Sequence, residues 1–195
     1  YFKIMKISAP DDPDRDRFIL SKGHAASAWY NILVARGFVD EGVLDNYLCD
    51  GSQLYGHPVK GCLPGVETST GSLGHGLSIG AGLALAGRND GKEYRSYVLM
   101  GDGEIQEGSV WEAAMLAARL RLENVVAIVD ANRLQGFERV ENIQPVETFA
   151  GKWWAFGWGV EEVDGHDHRA LEEVFSRVPL TPGAPSAVIA HTVKG

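Results

Sequence analysis

The fold follows from residues 94–132, which read YRSYVLMGDGEIQEGSVWEAAMLAARLRLENVVAIVDAN. Tyr94 to Met100 is an apolar run typical of a buried strand, and Gly101-Asp102-Gly103 is a tight turn directly after it. Ser109 to Leu122 has the spacing of an amphipathic helix, and Val125 to Val129 is a second buried strand. A strand, a helix and a second strand in this order predict a βαβ unit and a parallel sheet.

The rest of the chain continues the alternation of strands and helices. The predicted elements are a short apolar run at residues 18–20, helices at 25–36, 40–48, 77–87 and 168–177, and strands at 156–163 and 186–193. Residues 49–76 form a long, glycine-rich irregular stretch, which is uncommon in a compact domain unless it has a functional task. We expect one α/β domain over residues 1–195, with a mostly parallel central sheet flanked by helices on both faces.

Composition narrows the class of protein. Of the 195 residues, 18 are Lys or Arg and 26 are Asp or Glu, giving a net charge of −8, which argues against a nucleic-acid binder that relies on general positive charge. No run approaches the roughly 18 apolar residues of a membrane span. Two cysteines are too few for a disulfide scaffold and fit a reducing compartment, so we expect a cytoplasmic protein. The chain starts without Met inside what resembles an element, and we expect it to be truncated at both ends.

Two oxygen-bearing side chains follow the two strands of the βαβ unit. Asp102 ends the first strand and Asn132 follows the second, with 28 residues between Gly103 and Asn132. Because a right-handed crossover brings the carboxyl ends of both strands to one edge, we expect these side chains to meet there. Carboxylate and amide oxygens suit a hard cation such as Mg²⁺, and Gly103 lets the backbone approach an anion. The sequence therefore predicts a site for a magnesium-bound diphosphate.

Two common nucleotide motifs fit this stretch less well. The run that begins Gly101-Asp102-Gly103 lacks the third glycine of the dinucleotide fingerprint, and no phosphate-binding loop with Gly-Lys-Ser or Gly-Lys-Thr is present. An aspartate in a phosphate loop would repel a bare phosphate, so Asp102 fits only if a metal ion lies between them.

Five motifs in the same order carry a resemblance to a known family. They are residues 16–24 (DRFILSKGH), 56–58 (GHP), 65–74 (GVETSTGSLG), the Gly101-Asp102-Gly103 turn with Asn132-Arg133-Leu134, and 164–167 (DGHD). With these motifs the chain resembles the thiamin-diphosphate-binding half of transketolases over essentially its whole length. It is most similar to the N-terminal subunit of two-chain transketolases.

The resemblance implies roles for particular residues. The implied metal ligands for Mg²⁺, or for Ca²⁺ or Mn²⁺ in its place, are Asp102, Asn132 and the Leu134 carbonyl. The implied cofactor-binding residues are His57, Gly71, Ser72, Leu73, Gly101, Asp102, Gly103 and Asn132. The implied catalytic residues are His24, His57 and Glu107, the last at an interface that couples paired active sites. Many relatives have Pro and Gln where this chain has Ser72 and His75.

The resemblance also implies a reaction and a partner. The reaction is transfer of a two-carbon ketol unit from a ketose phosphate to an aldose phosphate, with thiamin diphosphate as cofactor. The pyrimidine-binding domain of the family is missing here, so we expect an inactive isolated chain that needs a C-terminal subunit, in a homodimer or a heterotetramer. Two alternatives are another thiamin-diphosphate enzyme component, similar to deoxyxylulose-phosphate synthase, and a non-catalytic remnant that still binds the cofactor.

Overall fold

All strands of the described sheet run parallel, as the βαβ unit predicts. The structure, a computed structural model, describes residues 1–144 and 148–194, so Gly195, the last residue of the predicted domain, lies outside the described part. The strands are β1 (Arg17–Leu20), β2 (Ser96–Gly101), β3 (Val125–Ala131), β4 (Gly159–Asp164) and β5 (Ser186–His191). Their order in the sheet is β1-β2-β3-β5-β4, and each neighbouring pair is parallel.

Helices cover both faces of this sheet. They are α1 (Ala26–Ala35), α2 (Gly76–Asn89), α3 (Gly108–Arg119), α4 (Val140–Ile143), α5 (Phe149–Ala155) and α6 (His168–Ser176), with short 3₁₀ helices at Gly23–Ala25, Glu41–Asn46 and Glu104–Gln106. Residues that alternate along a strand point to opposite faces. On one face Val98 and Met100 pack with apolar residues of α2, α3 and α5. On the other face Leu20 packs against α1, and Tyr97 packs against Phe175 of α6. The predicted α/β architecture is confirmed.

The glycines of α2 have different reasons for being there. A Cβ added at Gly80 would collide with the Val98 side chain of β2, and one added at Gly87 would lie 2.6 Å from Cζ of Tyr94. At Gly82 an added Cβ would meet no described atom within 4 Å. Close packing therefore explains Gly80 and Gly87, which have no side chain to keep the helix away from its neighbours.

Two predicted boundaries are wrong by three residues, more than any other predicted end of a helix or strand. The strand predicted from residue 156 begins only at Gly159, because Gly157 adopts a positive φ of +85° after α5 and ends that helix. The apolar character of this stretch comes from Trp158, whose buried indole packs in the core and donates a hydrogen bond of 3.0 Å to the Ala114 carbonyl. The helix predicted to reach Leu122 ends at Arg119, since Arg121 turns the chain with a φ of +51°.

No helix among the described residues is both long enough and apolar enough to cross a membrane.

Candidate active site

The register of the sheet brings the ends of β2 and β3 together. Gly101 lies opposite Asp130, and the Asp102 amide donates a hydrogen bond of 3.2 Å to the Asp130 carbonyl. Asp102, immediately after β2, and Asn132, immediately after β3, thus lie at the same edge, as the sequence predicts. This carboxyl edge of a parallel sheet is where ligands bind in open α/β folds.

Backbone amides fix the carboxylate of Asp102, which is completely buried. Its Oδ1 accepts a hydrogen bond of 2.9 Å from the Gly103 amide, and its Oδ2 accepts one from the Arg133 amide. Arg133 turns that amide towards Asp102 by adopting a φ of +64°. Burial raises the pKa of Asp102 above its ordinary value, with Asp130 adding to the rise, while the two amide hydrogen bonds and Lys22 oppose it. A bound cation would favour the ionised form of such a carboxyl group.

Asn132 is held by its neighbours on both sides. Its Nδ2 donates a hydrogen bond of 3.1 Å to Asp130, and its Oδ1 accepts one of 2.9 Å from the Leu134 amide. The amide group is therefore oriented, and its oxygen is directed along the segment that carries Leu134. Asn132 is thus bonded directly to Leu134, and the Arg133 amide between them joins this segment to the carboxylate of Asp102.

A lysine–aspartate pair below this site was not predicted from the sequence. The Lys22 ammonium and the Thr192 hydroxyl both donate to the Asp130 carboxylate. Burial alone would raise the pKa of Asp130, but these hydrogen bonds and the charge of Lys22 outweigh it and lower the pKa below its ordinary value. Asp130 therefore stays ionised and accepts from Asn132, which makes it a support for that side chain.

The loop Gly71–Gly74 borders the same edge. Gly74 has a φ of +80°, and a Cβ there would lie 2.6 Å from the Glu107 Cβ, so only glycine suits the position. The His75 ring nitrogen lies 3.1 Å from the Ser72 hydroxyl and 3.0 Å from the Leu73 carbonyl. Ser72 and His75 therefore contact each other and brace the loop. The Leu73 side chain is left 48% exposed.

The two predicted catalytic histidines face each other beside this loop. His24 lies in the 3₁₀ helix after β1, His57 lies in the glycine-rich stretch, and their ring centroids are 5.1 Å apart. The contact requires Gly23, because a Cβ there would lie 2.7 Å from the Thr70 hydroxyl and would also collide with His57. The Thr70 hydroxyl is buried and accepts or donates no hydrogen bond within the described residues. A polar ligand group at this position would satisfy it.

The two glutamates of the segment after Asp102 differ in environment. Glu107, the predicted interface residue, directly precedes α3 and is exposed in the single chain. Glu104, which the sequence did not single out, is buried and accepts hydrogen bonds from Ser21, Gly74 and Gly101. Burial raises the pKa of Glu104, against the opposing effect of these hydrogen bonds. The sequence Gly-Asp-Gly-Glu does not indicate that Glu104 would contact Ser21 and Gly74, which are far away along the chain.

The predicted metal ligands suit a hard cation, although only one of them is an ionisable side chain. Within residues 1–144 and 148–194, no group of three or more His, Cys, Asp or Glu side chains is arranged to hold a metal. The predicted set instead combines the carboxylate of Asp102 with the amide oxygen of Asn132 and the carbonyl of Leu134. Magnesium accepts such oxygen ligands and commonly completes its shell with substrate phosphates and water. The metal assignment stays a prediction.

A buried carboxylate beside a fixed amide oxygen, a glycine loop and two histidines, at the carboxyl edge of a parallel sheet, defines the class of α/β domains that bind a diphosphate cofactor. The family model for the thiamine diphosphate binding domain of transketolase matches residues 1–195. The chain belongs to the transketolase family, and the resemblance drawn from the motifs is confirmed.

Individual relatives agree with this assignment. An apulose-4-phosphate transketolase subunit of Phocaeicola vulgatus is 44% identical over 197 residues, which cover 100% of this chain and 70% of that protein. The 6-deoxy-6-sulfo-D-fructose transketolase subunit of a Clostridium species is 38% identical, with coverage of 100% and 72%. The solved transketolase of Leishmania mexicana superposes with a TM-score of 0.90 at 32% identity, over 97% of this chain and 30% of that chain. The chain thus spans about a third of the solved transketolase.

Proposed function

We propose that this chain is the thiamin-diphosphate-binding subunit of a two-chain transketolase. It transfers a two-carbon ketol unit from a ketose phosphate to an aldose phosphate. The observation that carries the proposal is the meeting of Asp102 and Asn132 at the ends of β2 and β3, beside the facing rings of His24 and His57. The family match and the relatives that are themselves single subunits of transketolases support it.

The proposed cofactor site has two parts, one that holds the metal ion and one that contacts the cofactor itself. Asp102, Asn132 and the Leu134 carbonyl would hold Mg²⁺, with Ca²⁺ or Mn²⁺ able to replace it because the ligands are hard oxygens. The backbone at Gly101 and Gly103 would contact the diphosphate, and the Gly71–Gly74 loop, with Leu73 exposed, would lie along the rings. When bound, thiamin diphosphate supplies the electron sink for breaking and forming the carbon–carbon bond.

The two histidines can bind and release protons next to that cofactor. Histidine is the side chain that most readily gains and loses a proton near neutral pH. His24 is exposed and His57 is half-buried, so a sugar can reach both rings. We assign them to binding substrate hydroxyls and holding protons at the substrate oxygens. Gly23 has no side chain to occupy the space of the His57 ring, so the two rings can approach each other.

The partner is a chain that carries a pyrimidine-binding domain. Relatives whose names describe one subunit of a transketolase support a two-chain enzyme. Glu107 and the apolar side chains of Met115 and Leu116 on α3 are exposed in the single chain, which supports their burial against another chain. A single cofactor domain over residues 1–195, a homodimer or heterotetramer, and a cytoplasmic role in pentose phosphate metabolism complete the proposal.

The substrate class is the sugar phosphates. One relative is named for apulose 4-phosphate and another for a sulfonated fructose, and both names describe sugars with an anionic group. An anionic substrate near an acidic protein requires local cationic or amide donors, and the amides and histidines at this edge can act as such donors.

Reconstitution tests the proposal directly. This chain and a pyrimidine-domain transketolase chain from the same organism are assayed separately and mixed, with thiamin diphosphate and Mg²⁺. We expect ketol transfer only in the mixture. Full activity of this chain alone would contradict the two-chain enzyme. Cofactor binding without activity in a stable complex would support the non-catalytic alternative.

Substituting the histidines distinguishes a role in catalysis from the general effect of losing a histidine. In the active mixture, His24→Ala and His57→Ala are each expected to lower kcat by about 100-fold, because proton transfer by a positioned side chain contributes on that order. His168→Ala is the matched control, since His168 is an exposed histidine at the start of α6 that makes no contact with the site. Equal kcat values for all three variants would remove the histidines from the proposed mechanism.

A further inference from the structure

A buried carboxylate that the proposed reaction does not use lies beside the cofactor loop. Glu104 is only 3% exposed. Its Oε1 accepts hydrogen bonds from the Ser21 hydroxyl and from the Gly74 amide, the latter at 3.1 Å. Its Oε2 accepts one of 3.2 Å from the Gly101 amide. One side chain therefore satisfies three donors from different parts of the chain.

The three donors belong to three different segments of the site. Ser21 follows β1 and leads to His24, Gly74 ends the Gly71–Gly74 loop, and Gly101 ends β2 directly before Asp102. Ser21 lies 83 residues from Glu104 along the chain and Gly74 lies 30 residues away. Glu104 is thus a direct hydrogen-bonded link between the histidine segment, the loop and the metal-binding turn.

The link continues to the first turn of α2. The Ser21 hydroxyl, while donating to Glu104, accepts a hydrogen bond of 3.2 Å from the Gly76 amide. The carbonyl of Gly74 accepts a hydrogen bond of 3.1 Å from the Ser109 hydroxyl of α3. Both polar groups of Gly74 are therefore held, which fixes the position where the loop enters α2.

Only a carboxylate meets this arrangement of donors. A carboxylate accepts hydrogen bonds at both oxygens and brings no donor of its own, whereas a glutamine has one acceptor oxygen and two N–H donors. Glutamine at position 104 would point an N–H group at one of the donors that it has to satisfy. Burying a carboxylate is unfavourable unless hydrogen bonds compensate it, and Glu104 receives three of them.

We propose that Glu104 is a positioning residue for the cofactor. It holds the Gly71–Gly74 loop at a fixed distance from the Gly101–Gly103 turn, so that both walls of the pocket keep the spacing that thiamin diphosphate needs. This role rests on the proposed function. Glu104 contacts no reacting group in this arrangement and acts through the backbone of Gly74 and Gly101.

The first measurement is cofactor affinity in the full chain. Calorimetry in the presence of Mg²⁺ compares wild type with Glu104→Gln and Glu104→Ala. We expect the dissociation constant of thiamin diphosphate to rise about tenfold for glutamine and about 100-fold for alanine, as one and then three buried donors lose their acceptor. The matched control is Glu93→Gln, which changes an exposed carboxylate before the opposite end of β2 and should leave the affinity unchanged.

The second measurement distinguishes positioning from general stability. Amide hydrogen exchange of the protein without cofactor should speed up at Gly74, Gly76 and Gly101 in Glu104→Gln and stay unchanged at the central residues of β3. In the active two-chain mixture, Glu104→Gln should need more thiamin diphosphate for half-maximal activity but recover nearly wild-type kcat at saturation. The glutamine variant carries the test if Glu104→Ala does not fold.

The outcomes separate this proposal from the function on which it rests. Absence of thiamin diphosphate binding in the wild type would contradict the proposed function. Wild-type binding that Glu104→Gln leaves unchanged would overturn the role of Glu104 alone. Faster exchange spread evenly over the whole sheet, with kcat lost at saturating cofactor, would also overturn it, because Glu104 would then be a general stability residue.

Discussion

At the amino edge of the sheet, Asp16 is almost as buried as Asp102 is at the carboxyl edge. Asp16 directly precedes β1 and is 2% exposed. Its carboxylate accepts hydrogen bonds of 2.8 Å from the Lys6 amide and 2.7 Å from the Arg95 amide. Asp102 likewise accepts from two backbone amides, those of Gly103 and Arg133. By burial and hydrogen bonding alone, the two aspartates are nearly equivalent.

Their surroundings give them different tasks. Asp16 joins the N-terminal segment to the residue before β2, and its two amide partners account for the bonding of both oxygens. Asp102 accepts from the Arg133 amide, next in the chain to Asn132 with its oriented amide group, and burial and Asp130 raise the pKa of Asp102. A buried carboxylate therefore indicates a ligand site only when further oxygen donors and open glycine loops lie next to it. In parallel sheets the carboxyl edge provides these.

Removing the two carboxylates should affect different properties, cofactor binding for Asp102 and stability for Asp16, with the larger effect at Asp102. We expect Asp102→Ala to weaken Mg²⁺-dependent binding of thiamin diphosphate by about 100-fold or more, about 2.7 kcal/mol, because the charged metal ligand is lost. Asp16→Ala should lower the free energy of unfolding by about 2 kcal/mol or more, since two amides lose their acceptor, and should leave the affinity of the folded protein unchanged. Calorimetry and denaturant titration measure the two quantities. Equal loss of cofactor affinity in both variants would break the distinction between the two edges.

A smaller effect is expected at the turn after Asp102. In Gly103→Ala the new Cβ would lie 2.8 Å from the Gln135 Cβ and push away the segment that carries Leu134. We expect thiamin diphosphate to bind about tenfold more weakly, equivalent to about 1.4 kcal/mol. Gly42→Ala is the control, because Gly42 is exposed and a Cβ there would meet no described atom within 4 Å. An unchanged dissociation constant of thiamin diphosphate for Gly103→Ala would show that this turn accommodates a methyl group.

The smallest effects on cofactor binding should come from α2, which runs between the two edges. Gly80→Ala is expected to lower the free energy of unfolding by about 1–3 kcal/mol, because its Cβ would overlap Val98 in the core. Gly82→Ala, on the open side of the same helix, should raise it by about 0.5–1 kcal/mol through better helix propensity. Both variants should bind thiamin diphosphate as the wild type does. Thermal unfolding measures the pair, and a stability loss at Gly82 would contradict the packing of α2.

The sequence determined the βαβ unit, the parallel sheet and the meeting of Asp102 with Asn132. These features depend on local patterns, since apolar runs, turn glycines and helix spacing are read over a few residues. It also placed Gly71–Gly74 next to the same site through the family motifs. The strand predicted at residues 156–158 is wrong. Aromatic side chains there resemble the pattern of a strand, but these residues follow the end of α5. An apolar run alone does not show to which element its residues belong.

Only the tertiary structure decided which supporting residues meet. Lys22 reaches Asp130 across 108 residues, and Ser21 reaches Glu104 across 83. Such pairs depend on strand order and register, which place β1 beside β2 and β2 beside β3. A glutamate one position after a Gly-Asp-Gly turn looks like an ordinary solvent-exposed charge in the sequence. It becomes a buried acceptor because the distant segments that carry Ser21 and Gly74 converge on it next to Gly101, and that convergence is a property of the fold.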